Sequence, residues 1–74
     1  MEQQIKDRSS RIMRLIELIE HINSTIQIHQ NDAAPDLLVI GQYEERRTEF
    51  LSELAELLRP LGISLEWQDL TNAA

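Results

Sequence analysis

Residues 5–26 read IKDRSSRIMRLIELIEHINSTI, in which Ile5, Ile12, Ile19 and Ile26 recur at intervals of seven. Leu15, Ile16 and Ile22 fill positions three and four residues on, the spacing that gathers side chains on one face of an α-helix. On a wheel of about 100° per residue Leu18 joins them, and the apolar arc spans about 160°. A two-stranded coiled-coil seam is narrower, confined mainly to the a and d positions. This face is therefore wide enough for two neighbours. Met13 and Ile28 fall outside it, as isolated apolar surface residues often do.

Working outward, the first helix is expected over residues 3–29 and a second over 36–59. The second arc collects Leu37, Val39, Ile40, Tyr43, Phe50, Leu51, Leu54, Leu57 and Leu58, again about 160° wide. The connector, residues 30–36, contains Pro35, which fixes its own φ and disfavours helix in the residue before it. Asp32 or Asp36 can cap the second helix by accepting from its first free amides. Gly41 weakens that helix by about 1 kcal/mol relative to alanine, and Pro60 with Gly62 ends it. Thr25 to His29 also alternates, and would supply an internal strand only if the first helix ended near Asn23.

In the tail, residues 60–74, the period changes. Leu61, Ile63, Leu65 and Trp67 alternate with Gly62, Ser64, Glu66 and Gln68, the period-two pattern of a strand with one buried face. Ile63 and Trp67 favour this extended form over a helical turn starting at Ser64. A lone strand leaves its backbone groups unpaired and needs a partner. The residues after Leu70 are expected to lack order. The fold class that follows is all-α: an antiparallel two-helix hairpin, coiled-coil-like, with a short extended C-terminal tail. Two such hairpins would form a four-helix bundle that covers both broad arcs.

Composition narrows the function classes. A chain of 74 residues makes one domain at most, close to the lower limit for stability without staples. It has no cysteine and two histidines, so disulfides and thiolate metal sites are out and a structural zinc site is nearly so. The net charge is −6, and phosphate neutralisation would have to rest on a small cluster, Lys6, Arg8, Arg11 and Arg14, which Asp7 interrupts. No nucleic-acid partner is expected. The polar N-terminus lacks a signal-peptide core, and no apolar run reaches the roughly 18–20 residues of a membrane span. A cytoplasmic, membrane-free protein is the expectation.

Arg47 stands out because it sits inside the second apolar arc, between Tyr43 and Phe50, whose rings could sandwich its stem. Such a cation must find acceptors or reach solvent. Glu44, the Tyr43 hydroxyl, Asn23 and a partner's carboxylate are the candidates. The structural reading, a polar insert that fixes register or oligomer state, outweighs a ligand-binding arginine. Glu17 and His21 stand four apart but lie off the arc, so a surface ion pair explains them better than a bundle metal site. His29 reads as a helix-end residue facing the last carbonyls.

Glu45, Glu49, Glu53 and Glu56 form a stripe opposite the second arc, either a solvated face or an acidic docking face. The antiparallel arrangement sets the basic start of the first helix beside the acidic end of the second. No glycine-rich loop or nucleophile–base set accompanies these features, so neither enzyme activity nor a cofactor is expected. The expected role is a small interaction or assembly module, a homodimer serving a protein partner the sequence does not identify. Self-association would run through Ile12, Leu15, Ile19, Ile22, Ile26, Ile40, Tyr43, Arg47, Phe50, Leu54 and Leu57. The alternative is an acidic regulator that occupies a basic partner surface.

Overall fold

A computed structural model describes residues 2–67, with side chains from Ile5 onward. Helix α1 (Glu2–Gln30) and helix α2 (Leu37–Leu58) pack against each other, and a short 3-10 turn (Arg59–Leu61) continues α2. Among the described residues there is no strand. The pair is antiparallel: Arg11 meets Glu53, Asn23 meets Arg47, and His29 meets Tyr43, so numbers rise along α1 as they fall along α2.

Helix α1 does not end near Asn23, so the internal strand at Thr25 to His29 does not form. Helical geometry sets Ile22 and Ile26 on one face, and both are buried against Ile40 with Tyr43 and Phe50 alongside. A strand would instead have put Ile26 beside Ile28, which is well exposed. Thr25 remains in the helix by donating its hydroxyl to the His21 carbonyl at 3.0 Å, and Ser9 does the same to Ile5 at 2.9 Å.

Of the two capping aspartates, Asp36 takes the role. Its carboxylate accepts from the Leu38 and Val39 amides at 3.1 and 3.3 Å, from an extended backbone at φ −88° and ψ 100°. Pro35 therefore lies just outside the helix. Asp32 turns the connector instead, accepting from the Ala34 amide at 3.4 Å. At the far end Gly62 adopts φ 76°, its amide reaching the Arg59 carbonyl while the Ile63 amide reaches Leu58. This paired closure is a Schellman motif, which needs a left-handed residue where glycine carries no Cβ penalty.

The tail departs from expectation. Residues 63–67 form neither a strand nor a turn of helix, and only Leu65 is even half-buried, with Ile63 and Trp67 exposed. The physical reason is the missing partner: no described segment offers backbone groups for a ladder. Expectations about residues 68–74, including disorder after Leu70, lie outside the described residues.

The core is thin. Among the described residues Leu15, Ile22, Ile26, Ile40 and Leu54 are its buried apolar side chains, and Leu15 alone of them is fully enclosed at 0% exposure. Ile12, Leu18, Ile19, Leu51, Leu57 and Leu58 are only half-buried, while Ile5, Ile16 and Leu37, all on the apolar arcs, are exposed. One neighbour cannot cover an arc about 160° wide, because a helix–helix seam is a narrower stripe.

Candidate functional site

The two long edges of the hairpin differ. Along one, side chains are paired across the seam or within α2. Arg11 holds Glu53 through two hydrogen bonds, from Nε and from Nη2, the latter at 2.9 Å. The Arg46 guanidinium stands 5.2 Å from the centre of the Phe50 ring, a cation–π contact. His29 stacks on Tyr43 with ring centres 5.6 Å apart. These contacts add to what the sequence offers: Arg46 is the arginine shown over an aromatic ring, and the His29 ring lies across the seam on α2. Helical spacing explains the first: Arg46 precedes Phe50 by four residues and shares its flank, whereas Arg47 points into the seam.

Glu53 also changes place. It does not belong to a stripe opposite the apolar arc but to the flank facing α1, where Arg11 closes on it. Hydrogen bonding from Arg11 holds the Glu53 carboxyl below the ordinary carboxylate range, against a smaller desolvation effect, and the ion pair adds to the lowering. Arg11 is raised in turn, first by the same hydrogen bond. Of the other glutamates in the expected acidic face, Glu49 pairs with Arg46 at 3.4 Å and Glu56 with Arg59 at 2.9 Å. Only Glu45 has no ion pair among the described residues. Glu17 faces Arg14 at 3.9 Å.

On the opposite edge, among the described residues, Arg47 with Asn23 is the one side-chain hydrogen bond between the helices. A step of about 100° per residue sets Ile5, Ile12, Ile16, Ile19 and Asn23 on this side of α1, and Leu37, Glu44, Leu51 and Ala55 on this side of α2. Ile5, Ile16 and Leu37 remain 57%, 44% and 79% exposed. In the half nearest the connector, Asn23, Ile26, Gln27, Gln30, Glu44 and Arg47 line a cleft of about 270 Å³.

Arg47 is the buried charge of the fold, 5% exposed, and donates from Nη1 to the Asn23 side-chain oxygen at 2.9 Å. Glu44 is its only ionic neighbour among the described residues, but Glu44 Oε2 lies 3.9 Å from Nη2. That separation exceeds hydrogen-bond reach, and Oε2 is buried without any hydrogen-bond donor. Asn23 and Glu44, both candidates from sequence, are thus brought to Arg47, one bonded and one merely near.

The other predicted self-association residues divide between core and flank. Leu15, Ile22, Ile26, Ile40 and Leu54 are buried inside the hairpin, so they hold the two helices together. Ile12, Ile19, Tyr43, Phe50 and Leu57 are half-buried and reach its surface. Sequence reasoning missed Ile5, Ile16 and Leu37 as surface candidates, although all three were visible on the arcs. A second cleft of about 310 Å³, between the end of α2 and the tail, is lined by Ala55, Arg59, Gly62, Ile63, Ser64 and Leu65. Its lining carries no carboxylate or imidazole to activate Ser64. No group of three or more potential metal ligands gathers among the described residues, and no helix there is long and apolar enough to cross a membrane. Comparison of the chain with protein-family models, curated proteins and solved structures finds no match.

Proposed function

We propose that the chain is a small interaction or assembly module that self-associates through its apolar helix faces, two hairpins forming a four-helix bundle. The observation that carries this reading is the apolar strip left uncovered at one edge. Exposed Ile5, Ile16 and Leu37 continue half-buried Ile12, Ile19 and Leu51 there, on a hairpin with few buried side chains of its own. A small core gains most from burying such a strip against a second copy. The role needs no catalytic group or cofactor. The alternative, an acidic regulator on a basic partner, has weaker support because Glu49, Glu53 and Glu56 each face an arginine of the same chain.

Association that stabilises the fold makes unfolding depend on concentration. The thermal midpoint is expected to rise by several degrees when protein concentration is raised about a hundredfold. A midpoint that does not move would overturn the proposal.

A further inference from the structure

We infer that the second copy docks on the open edge around a twofold axis beside Arg47, where each copy's Arg47 donates to the other's Glu44. The inference rests on the self-association proposed above and names its surface and its polar centre. Three observations carry it. The opposite edge is already closed by Arg11 with Glu53, Arg46 over Phe50 and His29 on Tyr43, so it offers charged groups that are already satisfied. The open edge carries the exposed isoleucines and Leu37. Most specific is the state of Glu44 and Arg47. One has a buried oxygen lacking any donor; the other is a guanidinium bordering the same cleft with one side-chain acceptor, Asn23.

A twofold interface is isologous, so the same patch meets itself. A patch of like charges would repel across the axis. This one is self-complementary, with one cation and one anion three residues apart on α2, and the axis turns each toward its opposite. The ring of two arginines and two glutamates so formed has no net charge. It would supply Glu44 with the donor that its own chain holds beyond reach. The terminal torsion of a glutamate is broad, so the carboxylate can turn both oxygens to the incoming guanidinium. A small anion is the weaker occupant of the cleft, because Glu44 would repel it. Polar groups set within an otherwise apolar seam also fix which register is allowed.

Reciprocal charge reversal tests this directly. Arg47→Glu alone sets glutamate against glutamate across the axis, and Glu44→Arg alone sets arginine against arginine. Each homodimer is expected to dissociate at least about tenfold more readily than wild type. Mixed together, the two variants restore both pairs, and native mass spectrometry is expected to find the mixed dimer above its random share. A pairing confined within each chain cannot be rescued by mixing. Should the buried changes prevent folding, judged by circular dichroism, Ile16→Glu and Met13→Glu decide instead. The first places a charge on the open edge and is expected to give a folded monomer; the second places it off the edge and is expected to leave the dimer intact.

Variants that all dimerise as wild type, with random mixing, would overturn the open edge and its twofold while leaving self-association standing. A wild-type chain that stays monomeric would overturn both and leave the edge to a partner of different sequence.

Discussion

Replacing Leu15 by alanine removes the one side chain among the described residues that is fully enclosed, at 0% exposure, between the two helices. The loss is about three methylene equivalents at ~0.8 kcal/mol each, or ~2.4 kcal/mol of transfer free energy. A cavity term adds to this because the two helices are tied on either side of the site, by Arg11–Glu53 and by Asn23–Arg47, and cannot fully close the gap. The expected cost is therefore ~3–4 kcal/mol, inside the ~2–5 kcal/mol range of buried leucine truncations.

At concentrations low enough to keep the hairpin monomeric, Ile19→Ala, which the sequence alone marks as central, should cost only about half as much, since Ile19 is half-buried there. Met13→Ala, at a site 64% exposed, should stay within about 0.5 kcal/mol of wild type. Urea unfolding followed by circular dichroism, with all three variants at one protein concentration, measures the order. A cost at Met13 equal to that at Leu15 would refute the assignment of inner and outer faces.

Asp36→Ala removes the acceptor for the Leu38 and Val39 amides and should cost about 1 kcal/mol in the same assay, whereas Asp32→Ala should cost less. The Glu53 carboxyl is lowered in the folded chain, so its contribution is present above the ordinary carboxylate pKa and is lost as pH falls through the folded value. The stability difference between wild type and Glu53→Gln should thus be positive at neutral pH and shrink as pH falls through and below the ordinary carboxylate range. A difference independent of pH in urea titrations would contradict the ion-pair account.

Much of the architecture was legible because the isoleucine repeat, Pro35 and the Pro60–Gly62 stop are local signals. The antiparallel placement of a basic start beside an acidic end could also be read, and Arg11–Glu53 is its realisation. Other features depend on how far α1 and α2 rotate toward each other, which no local pattern encodes. A wheel cannot say which part of a broad arc meets the neighbour, so it sets Leu15 and Ile16 on one arc though the first is enclosed and the second exposed. The same uncertainty put Glu53 in an outward stripe. Asp32 and Asp36 were equal as caps because both precede apolar residues at workable distance. The tail was readable only in part: alternation reports a preference for extended backbone, but a strand exists only where a second one pairs with it, and among the described residues none does.

Sedimentation equilibrium on the wild-type chain tests the central claim most directly. A hairpin that completes its core with a second copy should give about twice the 8.6 kDa chain mass at micromolar concentration. A single species at 8.6 kDa that remains helical and unfolds cooperatively would contradict it.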